Sequence, residues 1–199
     1  MEFKDIVQNR YACRQYQEKP VPEETIRELV EIIGCSVSAI NLQPWKIKVV
    51  SDQETKDEIF PATFGQNQVK ACSHLFVFCA DTDYAGIING VSASMAAAGV
   101  PDPQREGMME MAANVANGMT PEQRLHWSKE QVYIALGNTL NGAYSLGLGA
   151  CPMTAFQPPE FARILGLPEN LVPTVMVAIG YPAEAGGPKV RRTVDEILA

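Results

Sequence analysis

The chain has 199 residues, 46% of them hydrophobic and 20% charged, and 16 Lys/Arg against 23 Asp/Glu give a net charge of −7. These values describe a folded globular protein, one domain or two small ones sharing a core, and exclude a collagen-like or low-complexity chain. An acidic chain lacks the basic footprint for indiscriminate binding of nucleic acid or anionic lipid, and no apolar run approaches the ~18–20 residues that span a bilayer.

The N-terminus has no charged-then-apolar signal layout. The five cysteines, Cys13, Cys35, Cys72, Cys79 and Cys151, are odd in number and form neither a C-x-x-C pair nor a zinc spacing. Reduced, mostly buried thiols in a cytoplasmic protein are the expectation.

Phe3, Ile6 and Val7 predict a short amphipathic helix ending near Arg10. After the proline loop Lys19–Pro22, Pro22-Glu-Glu opens a second helix, with acids at its positive dipole end. Ile26, Leu29, Val30 and Ile33 keep its apolar face as far as Gly34. Residues 36–44 read as a polar loop, and Trp45–Val50 alternates like a half-buried strand. Short helices follow at 52–60 and 66–72, and then His74–Ala80, an unbroken apolar run that predicts a central strand.

Residues 84–120, rich in Ala, Met, Gly and Asn, predict one or two helices and a mobile connection. Thr120-Pro-Glu-Gln123 is a capping box that starts a helix running to about Leu146. Its small residues Gly137, Gly142 and Ala143 allow close approach, either of a partner chain or of this chain's own core. An extended piece at Gly149–Pro152, a helix over 158–165 and an apolar strand at Pro173–Ile179 complete the order. No repeat and no linker divides the chain. The irregular interspersion predicts an α+β fold with a mixed or antiparallel sheet.

The chemistry is first defined by what is missing. His74 and His126 are the only histidines and form no H-x-x-x-H pair, so no catalytic metal is expected. There is no G-x-S-x-G elbow and no phosphate-binding G-x-x-x-x-G-K-[ST] loop. Gly147-Leu-Gly149 follows a helix rather than a strand and has Pro152 where a third glycine belongs, so it is not a dinucleotide fingerprint. Cys72 and His74 share a face if both lie in a strand, but no third group orients them. What remains is cationic. Arg10 and Arg14 lie near one end of the chain and Lys189, Arg191 and Arg192 near the other. Guanidinium groups bind phosphate bidentately; the alternative is that each cluster is solvated surface.

These residues match a known pattern. Asn9-Arg10-Tyr-Ala-Cys-Arg14-Gln-Tyr16 resembles the N-terminal signature of the FMN-dependent nitroreductases. Ser36-Val-Ser-Ala-Ile-Asn41-Leu-Gln43-Pro44-Trp45 resembles the family's S-P-S-x-x-N-x-Q-P-W segment, and Gln66-Asn67-Gln68-Val69 its third element. Glu130–Asn138 with Leu146–Gly149 resembles its long central helix, and Pro188-Lys189-Val-Arg191-Arg192 its C-terminal phosphate-binding tail. The matches keep the family's order over nearly the whole chain.

The resemblance implies a nitroreductase-like α+β fold: a single domain over 1–199, with 84–120 an insertion that covers the active site. It implies a homodimer built on the long helix, with FMN at the interface. Arg10, Tyr11, Ala12 and Arg14 would contact FMN, as would Lys189 and Arg191. Arg10, Lys189 and Arg191 would hold the phosphate, and Arg14 the flavin ring near N1 and O2. Asn67, Gln68 and Lys70 would bind the pyrimidine edge or ribityl chain. Val37, Ser38, Ala39 and Asn41 would come from the partner subunit, and Pro152, Met153, Thr154 and Ala155 would lie along one side of the ring. Ala12 stands where the family usually has a hydroxyl, and Val37 where it has proline.

The implied activity is ping-pong transfer from NADH or NADPH to a nitroaromatic, quinone or related small-molecule oxidant. A redox sensor or carrier without steady turnover, or a specialised enone reductase or dehalogenase, are the alternatives. Because the cofactor carries the electron chemistry, no catalytic side chain is expected, and neither nucleic acid nor membrane is an expected partner.

Overall fold

A computed structural model describes all 199 residues. The elements are α1 (Phe3–Asn9), α2 (Glu23–Gly34), β1 (Trp45–Val50), α3 (Gln53–Ile59), α4 (Gln68–Ala71), β2 (His74–Asp81), α5 (Tyr84–Ala97), α6 (Asp102–Asn117), α7 (Pro121–Ser145), β3 (Gly149–Met153), α8 (Pro158–Ile164), β4 (Leu171–Gly180) and α9 (Val194–Ile197). The sheet order is β1-β2-β4-β3 with every neighbour antiparallel. The α+β expectation therefore holds in its antiparallel form. The one parallel pairing is a single bridge, Ala12 to Ala150, at the β3 edge.

The two apolar runs take the centre of the sheet because both of their faces are covered. Phe76 and Phe78 of β2, with Val175, Val177 and Ile179 of β4, pack under α2 and α7. The intervening Leu75, Val77, Met176 and Ala178 meet Ile59, Val69 and Phe161 on the opposite face. Period-two alternation thus supplies two cores from one pair of strands. Proline cannot donate to a ladder. Pro173 accordingly sits where the β2–β4 register slips, between the pairs Phe78–Val175 and Cys79–Pro173. Pro152 lies on edge strand β3.

Helix α7 starts at the expected box: Thr120 Oγ1 accepts from Gln123 N–H, and Gln123 Oε1 accepts from Thr120 N–H. Pro22 stands as the cap before α2 rather than inside its first turn. The small residues of α7 divide by face. A Cβ on Gly142 would lie 2.9 Å from Ile32 Cγ2, so Gly142 serves packing against α2 of the same chain. Gly137 meets nothing within 4 Å and lies beside exposed Tyr133 and Ile134. Residues 84–120 form two helices, α5 and α6, over a small cluster of Leu42, Tyr84, Ala112 and Ala116. Cys72 caps α4 rather than joining β2, so the shared strand face with His74 does not form. No helix is long and apolar enough to cross a membrane.

The N-terminal segment after α1 is laced to the sheet edge and the tail. Cys13 N–H donates to Ala150 C=O at 3.1 Å, Gln17 N–H to Tyr181 C=O at 2.9 Å, and Ala183 N–H to Gln15 C=O at 2.9 Å. Two glycines, paired across β3 and β4, make room. A Cβ on Gly149 would lie 2.7 Å from Cys13 Sγ, and one on Gly180 2.8 Å from the Tyr16 ring. That ring cannot retreat, because the Tyr16 hydroxyl is bonded to both Cys13 C=O and Ala178 C=O. Gly180→Ala is therefore expected to cost about 1–3 kcal/mol of stability, read as a lower urea midpoint at unchanged slope.

Candidate functional site

The lacing brings the two basic clusters together. Lys189 Nζ donates to the carbonyls of Val7 and Arg10, both at 2.7 Å. Arg10, Tyr11, Ala12 and Arg14 then share one cavity, about 720 Å³, with Lys189 and Arg191. None of these four cations forms an ion pair. Burial, then the neighbouring Arg191, lowers Arg10 from its ordinary range. Burial, then Arg10 and Arg191, does the same to Lys189. Like charges held together with no carboxylate on their side chains leave donors that an anion from outside can take. The tail reaches this position because Gly186 lies flat on Tyr11; a Cβ there would be 2.6 Å from the ring.

A second group adjoins through Arg14. Burial pushes the Cys151 thiol up, while nearby Arg14 and a bond from Gln68 oppose the rise. Gln68 Nε2 donates to Met153 Sδ at 3.1 Å, a weak acceptor. Gln66 Nε2 donates to Ala155 C=O at 2.6 Å, tying the segment before α4 to the chain beyond β3. The N–H groups of Thr154 and Ala155 donate to nothing within the chain, and both residues are exposed. Asn67 is exposed and its side chain makes no hydrogen bond. This neighbourhood offers unused donors beside one cation.

Val37, Ser38, Ala39 and Asn41 stand elsewhere: none of them lines the cationic cavity. Their loop is strained. Ile40, Asn41 and Gln43 have φ of 55°, 54° and 46°, a region that non-glycine residues enter at a cost of order 1–3 kcal/mol. Bonds from the long helix hold it there: Gln131 Oε1 accepts from Ala39 N–H and Asn138 Nδ2 donates to Ser36 Oγ, each at 2.9 Å. Gln43 Nε2 donates to Gly34 C=O at 2.7 Å. The fourth such residue, Phe64 at φ 53°, precedes Gln66. Three strained positions therefore lie within the first of the segments singled out in the sequence, and the fourth stands two residues before the other.

Lys70 is not brought to the cationic cavity. Its Nζ lies 3.0 Å from Asp57 and faces the Phe60 ring, beside a different cavity that Gln17 and Ser73 line. Tyr144 and Glu184, by contrast, line the cationic cavity without having been anticipated. Glu184 is a lone acid 170 residues from its partner Arg14, with no spacing to mark it. Burial pushes the thiols of Cys13 and Cys72 up to about 11 and that of Cys79 to about 12.

The model of the nitroreductase family matches residues 7–181. A Thermus thermophilus protein named NADH dehydrogenase is 35% identical over 199 residues, spanning 100% of this chain and 95% of its own. The major NAD(P)H-flavin oxidoreductase of Aliivibrio fischeri is 29% identical over 207 residues, spanning 96% of this chain and 95% of its own. A structure described as a nitroreductase in complex with FMN, from Exiguobacterium sibiricum, superposes with a TM-score of 0.92 at 20% identity, covering 100% of this chain and 97% of that one. At that identity the likeness is one of fold.

An unpaired cation cluster predicts a specific response of the free protein. Inorganic phosphate should raise Tm progressively with concentration, by mass action on the folded state, and chloride at matched ionic strength should not. Arg10→Ala with Arg191→Ala should abolish the difference in a thermal-shift titration.

Proposed function

This chain belongs to the nitroreductase family, and on that premise we propose that it is an FMN-dependent oxidoreductase taking electrons from NADH or NADPH and passing them, by ping-pong turnover, to nitroaromatic, quinone or related acceptors. The observation that carries the reading is the convergence of Arg10, Lys189 and Arg191 in one cavity with no acid paired to any of them. That donor set fits a phosphate dianion, which guanidinium groups hold in charge-assisted, bidentate bonds. FMN, when bound, supplies the ring that accepts and returns hydride.

The chain's own residues bind and orient. Arg10, Lys189 and Arg191 hold the phosphate. Tyr11 and Ala12 complete that wall, and the missing hydroxyl at Ala12 removes one bond of about 1.5–3 kcal/mol without emptying the site. Arg14 offers a cation to the pyrimidine side, where negative charge gathers on reduction. Asn67 and Gln68 offer amides to the same edge; Gln68 has only sulfur acceptors to give up. Thr154 and Ala155 offer backbone N–H groups along the ring beside Pro152 and Met153. Lys70 joins only by leaving Asp57.

The proposal includes a homodimer in a cytoplasmic setting, with five free cysteines in keeping with that location. Its support is the face of α7 left without a neighbour. Tyr133 and Ile134 are exposed there, and Gly137 is open. The strained loop carrying Val37, Ser38, Ala39 and Asn41 is bonded to α7 through Gln131 and Asn138, so pairing through α7 would carry it toward the partner's flavin. We further propose that residues 1–199 act as one domain, with the α5–α6 hairpin covering the active site.

Anaerobic stopped-flow tests the activity. Bound flavin should bleach with NADH or NADPH and recover with a quinone or nitroaromatic through repeated turnovers. One reduction without turnover would make it a carrier, and no bleaching by either donor would end the oxidoreductase reading. Gly137→Trp should give a monomer by light scattering with FMN affinity lowered at least about tenfold; a dimer with unchanged affinity would remove α7 from the interface.

A further inference from the structure

The cavity built from cations also contains a carboxylate. Glu184 is half-buried on its rim. A free negative charge there would oppose the binding of any anion. The structure shows how that charge is engaged: Glu184 Oε1 accepts from two successive backbone N–H groups, Arg14 at 2.5 Å and Gln15 at 3.1 Å. Glu184 C=O accepts from the Tyr11 hydroxyl, and Ala183 N–H donates to Gln15 C=O at 2.9 Å. Its carboxylate pairs with none of the neighbouring cations. The Glu184 carboxylate is thus bound to the peptide N–H groups of Arg14 and Gln15 and not to the neighbouring side-chain charges.

Successive N–H groups that converge on one oxygen form a backbone anion site. Were it open, this one would lie beside Arg14 and compete with the Arg10–Lys189–Arg191 cluster for a phosphate. We propose that Glu184 is an internal anion: it occupies the Arg14–Gln15 backbone site, locks residues 11–15 onto the tail that carries Lys189 and Arg191, and so leaves the cation cluster as the one place for the phosphate. Glu184 is a positioning residue. Its effect reaches the ligand through Arg14 and through the spacing of the two chain ends. The inference toward FMN rests on the reading above, whereas the lock itself belongs to the free chain.

Two consequences separate this role from a general contribution to stability. The site vacated in Glu184→Ala should accept a small carboxylate from solution. The damage should also fall more on FMN than on riboflavin, which lacks the phosphate. The experiment measures FMN and riboflavin affinity by flavin fluorescence in the full-length chain, with sodium acetate or with chloride at equal ionic strength. Wild type should be indifferent to acetate. Glu184→Ala should bind FMN about tenfold or more weakly, lose most of its preference for FMN over riboflavin, and recover with acetate. Glu184→Gln keeps an acceptor oxygen without the charge and should fall between the two, since charge-assisted bonds are roughly twice as strong as neutral ones.

Amide exchange of Arg14 and Gln15 gives a readout that needs no flavin. It should accelerate in Glu184→Ala and slow again with acetate, while exchange in α7 stays unchanged. Unaltered FMN affinity in Glu184→Ala, or a loss that acetate does not repair with Arg14 and Gln15 exchange unaltered, overturns the proposal. If wild type itself binds no FMN, the flavin reading falls, and the exchange measurement still decides the lock.

Discussion

Three cations from opposite ends of the chain sit together against their own repulsion, and much of the fold serves to keep them there. Burial and mutual charge lower Arg10 and Lys189 alike. The restraint comes from backbone hydrogen bonds and from the Glu184 carboxylate, which accepts from Arg14 and Gln15 N–H. Backbone hydrogen bonds join Cys13, Gln15 and Gln17 to Ala150, Ala183 and Tyr181, and the Lys189 amine is held by the carbonyls of Val7 and Arg10. Backbone bonds of this kind are not screened by salt as surface ion pairs are. The side-chain donors of Arg10, Lys189 and Arg191 therefore remain available to an anion from outside the chain.

Close packing sets the tolerance of this arrangement. Gly149 and Gly180 let Cys13 and Tyr16 lie against the strand pair, and Gly186 lets the tail lie on Tyr11. Behind them, β2 and β4 bury side chains on both faces, so the edge on which the segment rests is rigid. The strained loop at Ile40–Gln43 follows the same logic. Helix α7 over-determines it through Gln131 and Asn138, which is how left-handed non-glycine residues are kept. One long helix thus holds that loop and also presents the open face around Gly137.

The legible parts of the sequence were those with a strong period or a local cap. Helix α2, the box at Thr120 and the apolar runs of β2 and β4 stand where hydrophobic spacing put them. Residues 84–120 were harder to read because α5 and α6 bury few side chains, chiefly Tyr84, Ala112 and Ala116, so no apolar stripe marks their period. The role of Gly142 against Ile32 and the openness of Gly137 could not be told apart by composition, since a glycine reports closeness without saying to what. At the site, the charges of Arg10 and Lys189 were visible, but their meeting spans 179 residues. Glu184 left no trace, because a single acid carries no spacing. Lys70 shows the converse: its position matched a motif, yet in this chain its amine meets Asp57.

The most direct measurement is a ³¹P NMR pH titration of FMN bound to the protein. The second pKa of a free phosphate monoester is about 6. A cluster of Arg10, Lys189 and Arg191 should stabilise the dianion and hold the bound resonance constant well below that pH. A bound phosphate that titrates as it does in free FMN would contradict the account, because the three cations would then not be its ligands.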